Sequence, residues 1–154
     1  MELDYAKEPR MTSGKLHAAV LAATVLMAPA GAQAVELRIM APNLKPENGR
    51  VVVAVYNDPN GWKSGAAPFR TAVLPVAEGR VTAVFQLPEG RYAAAVFQDR
   101  DGDGKLGLLP FGWPREPVGY SGIANRPLFG RPGWDVSDFA VQEDVRMTVF
   151  VRLK

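Results

Sequence analysis

The chain has 154 residues, with 18 Lys and Arg against 16 Asp and Glu, a net charge of +2 at pH 7, and no cysteine. The near balance of charge argues against a nucleic-acid partner held through phosphates. The missing cysteine excludes disulfides, thiolate nucleophiles and sulfur-ligated metals.

Lys15 precedes an apolar stretch at residues 16–30, which runs into Ala32, Gln33 and Ala34. A basic flank, a short hydrophobic core and an A-x-A ending describe a secretory signal peptide, so residues 1–34 are expected to be removed. The stretch is shorter than the roughly 18 to 20 apolar residues that span a bilayer, and Pro29 and Gly31 interrupt its end. Residues 1–10 carry both charge signs, which makes Met11 the more ordinary start of such a peptide. The expected product is residues 35–154, one β-domain exported to the periplasm or the medium and not membrane-spanning after cleavage. The only histidine, His17, leaves with the leader. What remains has no Ser-His-Asp site, no histidine-ligated zinc and no histidine base, so an enzyme is not expected.

From residue 35 onward the pattern is strand and turn, without sustained helical periodicity. Val35, Leu37, Ile39 and Ala41 alternate with Glu36, Arg38 and Met40, predicting a strand with one buried face. After a turn at residues 46–49, residues 51–56 are apolar at both parities, as in a central strand. Residues 71–76 and 80–87 flank Ala77, Glu78 and Gly79, which predicts a hairpin. Tyr92 follows Pro88, Glu89 and Gly90 at the head of the strand 92–97, the position of a tyrosine corner in immunoglobulin-like sandwiches. A short strand ends at Ala140 and Val141. The last strand is expected over residues 145–154, with Val145, Met147, Val149, Val151 and Leu153 on one face. About seven short strands with regular turns fit an antiparallel β-sandwich, with a small closed barrel as the alternative.

Asp99, Asp101 and Asp103, followed by Gly104, match the first half of a D-x-D-x-D-G calcium loop. Carboxylates at alternate positions converge if the backbone curls, and Lys105 would add its backbone carbonyl. The twelfth position, which in the full motif carries a bidentate glutamate, is Pro110. Glu116, Asp135, Asp138 or water would complete the six to eight oxygens that Ca2+ takes. A solvated turn neutralised by Arg100 and Lys105 is the alternative.

Residues 106–139 form a long irregular stretch rich in proline, glycine and aromatics, and such loops are usually functional or disordered. Phe111, Trp113, Tyr120, Phe129 and Trp134 are costly to leave in water. They are expected either to cover an open end of the sandwich or to present a platform, with Trp113, Tyr120 and Trp134 as ligand-binding residues for a cell-envelope glycan, lipid or protein. Arg115, Arg126 and Arg131 are candidates for an anionic ligand. A third possibility pairs Asp99 with Glu116 as the two carboxylates of a glycosidase-like hydrolase.

Residues 49–57 (G-R-V-V-V-A-V-Y-N), 87–92 (L-P-E-G-R-Y), 96–106 (V-F-Q-D-R-D-G-D-G-K-L) and 112–121 (G-W-P-R-E-P-V-G-Y-S) together resemble the bacterial family called domain of unknown function 2141. The resemblance spans nearly all of residues 35–154. It implies an exported transthyretin-like or immunoglobulin-like sandwich without an established activity. In that pattern a histidine commonly precedes the acidic loop, and here the position is Gln98. The L-P-x-G-x-Y turn is also similar to that of regulatory and carrier sandwiches attached to peptidases and surface receptors, which implies a non-catalytic module. The acidic loop is similar to calcium loops of bacterial surface β-domains.

Overall fold

The computed structural model of the chain describes residues 34–45, 49–122 and 130–152. The expected signal peptide falls outside them except for Ala34, and so do Arg126, Phe129, Leu153 and most of the turn expected at 46–49. Among the described residues, eight strands form two sheets. The smaller holds β4 (Val81–Leu87), β1 (Val35–Ala41) and β8 (Val145–Thr148) in that order. The larger runs β3 (Arg70–Pro75), β2 (Arg50–Tyr56), β5 (Gly90–Asp99), β6 (Val118–Tyr120), with β7 (Phe139–Val141) paired to residues 90–92 of β5. The chain is thus mostly β, as a sandwich of two antiparallel-rich sheets.

The alternation read from the sequence decides which side chains lie between the sheets. Leu37 and Ile39 of β1 and Leu87 of β4 are fully covered, and each such side chain contributes about 1.5 to 3 kcal/mol on leaving water. Val51, Val53 and Val55 of β2, with Ala94 and Val96 of β5, meet them from the other sheet in one apolar core. Tyr92 closes this core at the head of β5. Its hydroxyl donates to the Pro88 carbonyl at 2.8 Å, so the tyrosine corner forms as expected. β2 is the central strand, pairing β3 on one side and β5 on the other.

Three connections differ from the sequence reading. The turn at 77–80 forms, with Glu78 and Gly79 at φ 52° and 71° and Arg80 N–H donating to Ala77 at 3.0 Å. Its arms then part. β3 pairs β2 and β4 pairs β1, so a hairpin was the wrong reading and the turn carries the chain from one sheet to the other. Alternation marks the buried face of a strand and is silent on its hydrogen-bonded partner. The expected closing strand also divides. β8 ends at Thr148, and Arg152 bridges Val118 of the larger sheet. Finally, β8 runs parallel to β1, because the chain reaches it from β7 in the other sheet rather than through a hairpin.

One short helix, α1 (Pro59–Ser64), follows β2. Six residues are too few to register as a helical period. Its caps define it: Asp58 Oδ1 accepts the N–H groups of Asn60 and Gly61 at 2.9 and 2.8 Å, Pro59 opens the first turn and Gly65 closes the last.

Candidate functional site

β2 and β5 are apolar at both parities because the outer face of the larger sheet is buried as well. Val52, Ala54 and Tyr56 of β2, with Ala93, Ala95 and Phe97 of β5, form a second apolar cluster there with Val118 and Tyr120. Trp62 of α1 lies against it, 1% exposed, and its indole N–H donates to the Pro132 carbonyl at 2.8 Å. Its ring meets Tyr56 and Tyr120 edge-on, at centroid distances of 5.5 and 5.7 Å. The cover is incomplete. A cavity of about 630 Å³ stands over the face, floored by Val52, Ala54 and Phe97 and walled by residues 63–68, by Lys105, Leu106 and Leu108, and by Tyr120 and Arg131.

Arg131 is seated on the aromatic rings. Its guanidinium carbon lies 4.6 Å from the centroid of Trp62, 5.0 Å from Tyr56 and 5.6 Å from Tyr120. Three ring faces around one cation favour the charge in place of water. Its Nη1 is buried and has no hydrogen-bond partner among the described residues. The ion pairs among the described residues use Arg38, Arg50, Arg80 and Arg91, and not Arg131.

The acidic loop continues β5 and supplies one wall of the cavity through Gly104, Lys105 and Leu106. Asp99, fully buried, accepts Gly102 N–H on Oδ1 at 2.8 Å and Gly104 N–H on Oδ2 at 3.0 Å. Asp101 accepts Asp103 N–H, and Asp103 accepts Lys105 N–H at 2.7 Å. The loop therefore curls, with Gly104 at φ 75°, a conformation that side chains resist. One carboxylate oxygen each from Asp99, Asp101 and Asp103 lie within 4.8 Å of one another. Arg50 leans on the same loop, donating to the Gly102 carbonyl at 2.9 Å and standing 3.7 Å from Asp99 Oδ2.

Glu116 does not join that trio. It is 4% exposed and clasps the loop at both ends, accepting Arg100 N–H on Oε1 at 2.7 Å and Gly107 N–H on Oε2 at 3.1 Å. Asp138 pairs with Arg91, and this guanidinium hydrogen bond holds its carboxyl below the usual range. Asp135 is exposed in a 3-10 turn, Trp134–Val136. Of the aromatic residues expected to bind a ligand, Tyr120 lines the cavity, Trp134 packs against the second cluster, and Trp113 is 39% exposed on the loop. Tyr120 and Trp134 thus cover a sheet face rather than an end of the sandwich. Gln98 is 1% exposed and donates through its side-chain amide to the Lys45 carbonyl.

Sequence reasoning missed Trp62, Tyr56 and Phe97 as site residues. The available signal was the double-sided apolar run of β2 and β5, which requires a cover on the second face.

A family model described as an uncharacterized protein conserved in bacteria, DUF2141, matches residues 39–148. No curated protein and no solved structure matches the chain.

Proposed function

The chain belongs to the DUF2141 family of uncharacterized proteins conserved in bacteria, and on that premise we propose that it is an exported, non-catalytic module that binds a small molecule in the cavity over the larger sheet. The observation carrying this reading is the incomplete cover of an otherwise apolar face, which leaves about 630 Å³ among aromatic walls. Small-molecule sites are concave, mostly apolar and of this size. The acidic loop is then the ordered wall of the site, and Ca2+ held by Asp99, Asp101, Asp103 and the Lys105 carbonyl is its expected organiser. These donors are hard oxygens, as Ca2+ prefers, and water would fill the remaining positions. A non-catalytic role is supported by the use of Asp99 and Glu116: their oxygens accept backbone N–H groups within the loop.

The test uses N-phenyl-1-naphthylamine, a neutral probe whose emission rises in apolar surroundings. The full chain is expected to enhance its emission saturably, and Ala54→Phe, which fills the floor of the cavity, is expected to weaken binding at least tenfold with an unchanged circular dichroism spectrum. Equal binding by the variant, or no binding by the parent, rejects the cavity as the site.

A glycan of the cell envelope is the second reading, favoured by the rings of Tyr56, Phe97 and Tyr120 along the cavity, since sugars stack their apolar faces on such rings. It requires quenching of tryptophan emission by at least one member of a panel of envelope glycan fragments, lost in Ala54→Phe.

A further inference from the structure

We infer that the ligand of this cavity is a small organic anion, an aromatic or short alkyl body bearing one carboxylate, and that Arg131 recognises its charge. The inference rests on the reading of the cavity as the binding site and adds the chemistry of its occupant.

Among the described residues, the lining carries Lys63, Lys105 and Arg131 and no acidic side chain. The chain as a whole is near balance, with 18 basic and 16 acidic residues, so a one-signed lining is a local property. Its sign repels cationic ligands and raises the local concentration of anions.

Arg131 differs from an ordinary surface arginine in three ways. Its guanidinium is fixed over Trp62, Tyr56 and Tyr120, at 4.6, 5.0 and 5.6 Å. Its Nη1 is buried without an acceptor among the described residues, and none of the ion pairs among them includes it. A planar, pre-positioned fork of donors suits a carboxylate, which accepts two parallel hydrogen bonds from it. The floor of Val52, Ala54 and Phe97 offers no polar side-chain atom, and so suits the apolar body of the same molecule. A charged wall facing an apolar floor selects an amphipathic anion over a bare inorganic one.

The experiment compares 2-naphthoate with 2-naphthamide, which share shape and differ in charge, each competing with N-phenyl-1-naphthylamine on the full chain. Naphthoate is expected to bind at least tenfold tighter than the amide, and added salt to weaken naphthoate alone. Arg131→Gln is expected to bring naphthoate to the affinity of the amide and to leave the amide unchanged, while Arg131→Lys restores part of the preference. Equal affinities on the parent chain, or a preference that survives Arg131→Gln, overturn the inference and leave the cavity reading standing. Failure of both compounds to displace the probe also overturns it. Failure of the probe itself to bind removes the cavity reading with it. The parent's naphthoate to naphthamide ratio and its salt dependence decide the matter even if an Arg131 variant folds poorly.

Discussion

Tyr92 ties a single hydroxyl to both the fold and its pH response. The ring is buried in the core between the sheets and the O–H reaches back to Pro88. Tyr92→Phe keeps the ring and removes the hydrogen bond, so it is expected to cost about 1 kcal/mol in urea unfolding at neutral pH. Burial raises the pKa of the phenol above its ordinary value. A raised folded pKa means the neutral form is favoured by the native state. The contribution is whole below the unfolded pKa of about 10 and is lost as pH rises through the folded value. Stability of the parent is therefore expected to fall through this alkaline window, and Tyr92→Phe to show a shallower slope. Parallel slopes would remove Tyr92 as the source. At this scale the sequence was legible where spacing alone sets geometry: the corner tyrosine four residues after Pro88, and aspartates alternating before Gly104. Arg131 stood among candidates for an anion, but its seat on three rings joins residues 56, 62, 120 and 131, and no local spacing encodes that meeting.

Among the elements, α1 shows how a short segment can govern a distant one. Six residues cannot hold a helix by propensity alone. Asp58 accepts two of its free N–H groups, and Trp62 docks on the outer sheet face and on Pro132. Asp58→Ala is expected to cost about 1 kcal/mol, the usual loss of an N-cap. Because the buried indole moves with the helix, the near-ultraviolet dichroism of the tryptophans should weaken while the far-ultraviolet β signal persists. A variant with the parent's stability and spectrum would show that packing of Trp62, rather than the cap, forms α1. The strands were legible and their partners were not. β1 and β4 follow their alternation residue by residue, and β2 is buried along its unbroken apolar run. The turn at 77–80 read as a hairpin because hairpins and sheet-to-sheet turns use the same residues. What separates them is the register of β1 with β4, from Val35 opposite Leu87 to Ala41 opposite Val81, a long-range choice that no short window contains.

Taken as a whole, the molecule has two apolar layers on the larger sheet, one shared with the smaller sheet and one shared with α1 and the loops. The acidic loop belongs to the second layer, since Gly104, Lys105 and Leu106 line the cavity while Asp99, Asp101 and Asp103 gather on the same curl of backbone. A cation that orders the aspartates therefore orders a wall of the cavity. Calcium sites of extracellular modules have dissociation constants of roughly 10⁻⁴ to 10⁻³ M. At 10 mM calcium such a site stabilises the native state by about 1.4 to 2.7 kcal/mol, which should raise the thermal midpoint of the full chain by several degrees over that in chelator. Asp101→Ala removes an exposed carboxylate of the trio and is expected to abolish the rise. Glu116→Gln loosens the clasp on both ends of the loop without removing a member of the trio, so calcium should recover part of the stability it loses. If loop order links the two sites, calcium tightens N-phenyl-1-naphthylamine binding by about fivefold or more, and the probe tightens calcium by the same factor, because coupling free energy is reciprocal. Magnesium, which holds its water and demands octahedral geometry, should produce neither effect. A midpoint unmoved by calcium would leave Arg50 and the loop's own N–H groups as the partners of the aspartates, and a midpoint that rises without any change in probe affinity would separate the cation from the cavity.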